Sequence, residues 1–128
     1  MPDLMPYSSL TTHGEGALIQ VREPQLHKLI RSILPLVEVD EQWYRMTYRD
    51  VDEAISLGKF DTAREHYVET GYFEGRFPRK ILVDEQWYVA TYSDVAEAIK
   101  RGRFVKAQEH YEKDGYREGR LPYPDWKL

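Results

Sequence analysis

Residues 39–78 read VDEQWYRMTYRDVDEAISLGKFDTAREHYVETGYFEGRFP, and residues 83–122 read VDEQWYVATYSDVAEAIKRGRFVKAQEHYEKDGYREGRLP. The second stretch repeats the first, 44 residues on, and aligns with it without a gap. The fold problem is therefore that of one short unit used twice. A unit of about 40 residues rarely buries enough surface to fold alone, and such repeats usually stack to share a core.

Within the unit the signals are those of short helices. Asp40 suits an N-cap, with Val39 placed to meet Tyr44 in a hydrophobic staple. Trp43, Tyr44 and Tyr48 then share a face. Asp50 followed by Glu53 has the spacing of a capping box, Val51, Ala54 and Ile55 form an apolar stripe, and Gly58 suits a left-handed helix end. Phe60, Ala63 and Tyr67 mark a third helix that Gly71 can end, with Tyr72 placed over Tyr67 as in a Schellman motif. Its N-cap is not legible, because Asp61 of the first copy is Val105 in the second. Gly75 is expected to take a backbone angle that other residues resist, and Pro78 bars continuation. Copy two repeats the pattern from Asp84 to Pro122.

Ahead of the repeats, Met1 to Gly16 reads as a flexible arm, and Ala17 to Arg22 as a short strand or an extended lead-in. Leu26, Leu29, Ile30, Ile33 and Leu34 fall on one helical face between Pro24 and Pro35. That helix has too much apolar surface to stand alone, so it should pack on the repeats or on a second subunit. The expected layout is an arm over 1–16, an extended segment and helix over 17–38, repeat 1 over 39–82, and repeat 2 with the tail over 83–128.

Composition narrows the function classes. Hydrophobic residues make up 41% and charged residues 31%, the profile of a soluble folded chain. The net charge of -4 comes from interspersed acids and bases, with no basic stripe for nucleic acid. With no cysteine there is no disulfide, thiolate metal site or cysteine nucleophile. No apolar run reaches the roughly 20 residues of a membrane helix, and the N-terminus lacks a signal-peptide pattern. A cytoplasmic location is the expectation.

The pattern W-Y-x-x-x-Y-x-D-V-x-x-A, then G, then H-Y-x-x-x-G-x-x-E-G-R-x-P resembles a short repeat of bacterial glycosyltransferase-associated and polysaccharide-related proteins. Copy one supplies Trp43, Tyr44, Tyr48, Asp50, Val51, Ala54, His66, Tyr67, Gly71, Glu74, Gly75, Arg76 and Pro78, and copy two the same set from Trp87 to Pro122. Together they cover about two thirds of the chain. Arg49 and Ser93 stand where that repeat has proline, and no glycosyltransferase domain is present. The resemblance implies an accessory module, and a sugar link by association only.

The candidate chemistry is sparse. Glu65-His66 and Glu109-His110 invite a base or metal reading, but neighbours on a helix point about 100° apart. Each copy has one His, with no partner at H-E-x-x-H spacing. Each is expected to pack beside Tyr67 or Tyr111 and bond to a neighbouring carboxylate or carbonyl. Glu74 with Arg76, and Glu118 with Arg120, could hold a phosphate or sugar acid; the structural alternative pins the closing turn, to Asp50 or Asp94. Trp43 and Trp87 recur at helical spacing and read as core, whereas Trp126 stands outside the repeat as a candidate contact residue. Leu26, Leu29, Ile30 and Ile33 are the candidate oligomer seam. The copies also differ on their outer faces, Arg45 and Arg49 against Val89 and Ser93.

The reading is an all-α protein: an N-terminal helix, then two tandem three-helix repeats packed on each other. Its function is a non-enzymatic protein-interaction or scaffold module for bacterial polysaccharide biosynthesis or glycosyl transfer. No cofactor, metal or catalytic residue is expected, and the partner is a protein or a second copy, with no nucleic acid and no membrane insertion. Direct carbohydrate binding through exposed aromatics is the alternative, and an enzyme built on the Glu/His pairs a weaker one.

Overall fold

A computed structural model describes the backbone of residues 11–13 and all of residues 19–126. The chain is helical, with seven α-helices among the described residues. No helix among them is long and apolar enough to cross a membrane. Two short strands precede the helices, β1 (Thr11–His13) and β2 (Ile19–Val21), paired antiparallel with Thr11 opposite Val21. β2 falls within the extended lead-in expected before the first helix. Apart from β1, the arm expected over Met1 to Gly16 lies outside the described residues. Between Arg79 and Lys80 the chain divides into two compact units, each described by itself.

In the first unit, α1 (Glu23–Ile33) has Pro24 in its first turn and runs into a 3-10 turn at Leu34–Leu36 that contains Pro35. It docks on copy one. Leu34 is buried in the core and Ile30 packs against it. Arg31 lies 4.8 Å over the Phe73 ring and donates from Nη2 to the Glu69 carbonyl at 3.0 Å.

Copy one then forms α2 (Glu41–Thr47), α3 (Arg49–Ser56) and α4 (Ala63–His66). Asp40 caps α2, its carboxylate accepting from the Trp43 amide at 3.0 Å. Val39 and Tyr44, the expected staple pair, are both buried in one cluster with Val51, Ala63 and Tyr67. Gly58 ends the α3 segment with φ 77°, as read from sequence. The expected capping box does not form: no side-chain bond caps α3. The Asp50 carboxylate instead takes two bonds from the Arg76 guanidinium. A bidentate charge-assisted pair is stronger than a bond to a neutral amide, so the long-range partner wins over the local one.

The third helix departs further. α4 is one turn long and widens into a π-helical segment, Tyr67–Gly71. The Tyr72 amide donates to the Tyr67 carbonyl five residues back, at 2.9 Å. The Tyr67 and Tyr72 rings meet edge to face, but Gly71 has no positive φ; the Schellman turn forms at Gly75 instead, with the Gly75 amide donating to the Tyr72 carbonyl and the Arg76 amide to the Gly71 carbonyl, both at 3.0 Å. What requires glycine at position 71 is space: a methyl on Gly71 would collide with the Tyr44 hydroxyl. The N-cap that sequence left open comes from α2. Glu41 accepts from the Ala63 and Arg64 amides at 2.8 and 3.0 Å, and Thr62 adds a bond from the Glu65 amide. Gly75 turns the chain with φ 78°, and the Asp40 amide closes the unit on the Pro78 carbonyl at 3.0 Å.

The second unit builds the same parts: α5 (Glu85–Thr91), α6 (Ser93–Lys100), and α7 (Ala107–His110) widening at Tyr111–Gly115. Tyr88, Val95, Ala107, Tyr111, Ile81 and Pro122 are buried apolar residues of this unit. Asp94, like Asp50, is drawn from its expected capping role to an arginine, here Arg120. The Asp84 amide closes the unit on the Pro122 carbonyl at 3.0 Å. Glu85 caps α7 through the Ala107 and Gln108 amides, but Lys106 adds no cap where copy one has Thr62. Glu85→Ala should therefore lower stability by about 1–2 kcal/mol in urea unfolding, and Glu41→Ala by less. Equal or negligible losses would contradict this account of the third helix.

Candidate functional site

The motif residues of copy one converge in a single chain of contacts between the helices. Tyr44, fully buried on α2, shares a hydrogen bond of 2.9 Å with His66 Nδ1 on α4. The other ring nitrogen, Nε2, faces Glu74 Oε1 at 3.7 Å, beyond hydrogen-bond length. The second oxygen of Glu74 accepts from Arg76 at 3.0 Å. Arg76 in turn binds Asp50 through both terminal nitrogens, at 2.8 and 2.7 Å, with its guanidinium 4.9 Å over the Tyr48 ring. The Tyr48 hydroxyl accepts from the Phe77 amide at 2.8 Å, so the clasp also holds the closing strand of chain.

Copy two repeats the arrangement. Tyr88 bonds His110 Nδ1 at 2.8 Å, His110 Nε2 faces Glu118 Oε1 at 3.8 Å, and Arg120 Nε donates to Glu118 at 2.8 Å. Arg120 binds Asp94 at 2.8 and 2.6 Å and lies 4.9 Å over Tyr92, whose hydroxyl accepts from the Leu121 amide. The pairing of Arg76 and Arg120 with Asp50 and Asp94 is the structural alternative read from the sequence. The tyrosine partners of the histidines, by contrast, carried no local signal.

Electrostatics follow from this geometry. Hydrogen bonds from Arg76 hold the Asp50 carboxyl at about 2, and those from Arg120 do the same for Asp94. Burial pushes the Tyr88 hydroxyl up to about 12 and raises Tyr44 as well, so both stay protonated. Burial, and then the charge of Arg76, push His66 below its ordinary value. A neutral His66 with its proton on Nε2 accepts from the Tyr44 hydroxyl and directs that N–H toward the Glu74 carboxylate.

The Glu65-His66 pair does not converge. His66 is buried against Tyr44, while Glu65 turns back to accept from the Asp61 amide at 2.9 Å. Glu109 likewise accepts from the Val105 amide. Trp43 and Trp87 are half-buried, each edge to face with the tyrosine five residues on. Trp126 is half-buried and packs edge to face with Tyr123 at 5.5 Å. Of the candidate seam, Ile30 is turned to the core of copy one, while Leu26, Leu29 and Ile33 are exposed. The outer face that distinguishes the copies is concave in copy one: a cleft of about 450 Å³ lined by Glu41, Gln42, Arg45, Met46, Arg49 and Asp52. An Arg45–Asp52 bond of 2.6 Å crosses it. Copy two has Val89, Ala90, Ser93 and Ala96 at the matching positions of Arg45, Met46, Arg49 and Asp52.

Among the described residues, one group of histidine and carboxylate side chains lies close enough to hold a metal ion: His110, Asp114 and Glu118. No family model, no curated protein and no solved structure matches this chain.

The pH dependence of stability has two steps. Lowered carboxyls favour the fold above their unfolded value of about 4, and the benefit is lost as pH falls toward about 2. The lowered His66 favours the fold above about pH 6.5, and that part is lost below it. Unfolding followed by circular dichroism should show both losses. Arg76→Gln with Arg120→Gln should flatten the acid step, and an acid step unchanged in that variant would contradict the assignment to these pairs.

Proposed function

We propose that this chain is a non-enzymatic protein-interaction module serving bacterial polysaccharide synthesis or glycosyl transfer. The tie to that process rests on the motif resemblance. The interaction role rests on where the motif's side chains go. His66, Glu74 and Arg76, with their counterparts His110, Glu118 and Arg120, are spent on contacts inside their own unit. The large hydrophobic side chains left open to solvent include Leu26, Leu29 and Ile33 on α1 and Ile19 and Val21 on β2.

That distribution favours a protein surface over a sugar platform. Every described Trp, Tyr and Phe is buried or half-buried, and the rings meet one another edge to face. Stacking on a sugar ring needs an open aromatic face, whereas an aliphatic helix face suits another helix. In this reading α1 is docked on copy one by Ile30 and Arg31, with Leu34 just after it, and offers the adjoining edge of that face, Leu26, Leu29 and Ile33, to a second copy or a protein partner. The cleft on copy one is lined by Arg45, Met46, Arg49 and Asp52, which copy two replaces with Val89, Ala90, Ser93 and Ala96, so the two copies present different surfaces there.

Sedimentation of the intact chain tests this. Reversible self-association is expected, and Leu26→Glu with Leu29→Glu should abolish it at unchanged helix content. A wild-type chain that stays monomeric at all concentrations, or a variant that associates as before, would count against the reading.

A further inference from the structure

We propose that copy two, and not copy one, binds a divalent ion of the zinc class between His110 Nε2, Asp114 and Glu118. The three ligand atoms lie within 4.8 Å of one another. Zinc bonds to nitrogen and carboxylate oxygen of about 2.0–2.2 Å place tetrahedral ligands about 3.3–3.5 Å apart. The group thus needs to contract by up to about 1.5 Å. The two carboxylates can supply that by side-chain rotation, since Asp114 and Glu118 are exposed.

The histidine is the fixed member. His110 is 5% exposed, and the Tyr88 hydroxyl holds its Nδ1 at 2.8 Å. Its Nε2 makes no hydrogen bond among the described residues and points at Glu118 Oε1, 3.8 Å away. That gap is too long for a hydrogen bond and suits two ligands of one ion. With a metal on Nε2 the ring proton moves to Nδ1 and is donated to the Tyr88 oxygen. A second partner of this kind orients metal-bound histidines. Glu118 is prepared in the same way: Oε2 is held by Arg120 Nε, which leaves Oε1 for the ion.

Charge favours a dication. Arg120 is already countered by Asp94, and Lys113 by Glu109, at 2.8 Å. Arg120 is shared between Asp94 and Glu118 Oε2, so the carboxylate atoms left to the site are those of Asp114 and Glu118 Oε1. An imidazole with two carboxylates suits zinc and its first-row neighbours better than magnesium or calcium, which prefer all-oxygen shells.

Copy one is the internal control. It has the same histidine and glutamate, with His66 Nε2 3.7 Å from Glu74, but Thr70 stands at the position of Asp114. The Thr70 hydroxyl donates to the His66 carbonyl at 3.1 Å. Copy one thus offers two ligands where copy two offers three. Asp114→Thr gives copy two the arrangement that copy one already folds with.

Calorimetric titration of the intact, untagged chain with Zn²⁺ tests the site. Wild type should bind one ion per chain, Asp114→Thr should weaken binding by about tenfold or more, and calcium should not compete. Co²⁺ should give a tetrahedral absorption band that Asp114→Thr removes. No zinc binding by wild type, or equal binding by a folded Asp114→Thr, overturns the proposal. If Asp114→Thr does not fold, Thr70→Asp decides: a stoichiometry rising from one to two supports it, and a stoichiometry unchanged at one overturns it.

Discussion

Each copy is held shut by an arginine near its end that reaches back 26 residues to an aspartate at the start of its second helix. The pair is bidentate and lies beside an aromatic ring, a geometry that a lysine could not reproduce. Around it the unit closes in sequence. Arg76 holds Glu74, Glu74 faces His66, and His66 bonds the buried Tyr44 at the centre of the core. Asp50 is 65% exposed but Arg76 only 18%, so the pair sits between a solvated surface contact and a buried one. Its importance lies in what it positions, since the same turn carries Phe77 to the Tyr48 hydroxyl and Pro78 to the Asp40 amide.

The chemical consequence is that the residues that look most like an active site are used for closure. A His beside a Glu, a second Glu, and an Arg after a Gly form a catalytic vocabulary. Here the burial of His66 and its bond to Tyr44 keep the ring in place, and Glu65 faces the other way, capping its own helix. Outside the closure the copies differ. Copy one has the Arg45, Met46 and Arg49 cleft, and copy two has Asp114 beside its histidine. Duplication allows this, since a clasp that holds both units leaves each free to vary outside it.

Local signals were legible in the sequence and long-range ones were not. The Asp40 and Asp84 caps, and the left-handed Gly58 and Gly75, depend on neighbours within a few residues, and the structure has them as read. Asp50 misled because a capping box is a local pattern, and its actual partner lies far along the chain. Gly71 misled because a glycine after a helix usually marks a backbone angle, whereas this one makes room for a tyrosine hydroxyl. Glu41 gave no sign of capping α4, for its acceptors sit on a different helix from the amides they serve. The group at His110 needed the π-helical turn as well. The Asp114-for-Thr70 difference is plain in the aligned copies, but regular α-helical spacing does not bring residues eight apart onto one point.

The motif's charged residues clasp each unit. A double-mutant cycle on Asp50→Asn and Arg76→Gln, read by chemical unfolding, measures that clasp directly. A coupling of about 1 kcal/mol or more is predicted, matched by the Asp94 and Arg120 cycle in copy two. Coupling near zero in both copies would contradict it and return these residues to the surface as candidates for binding.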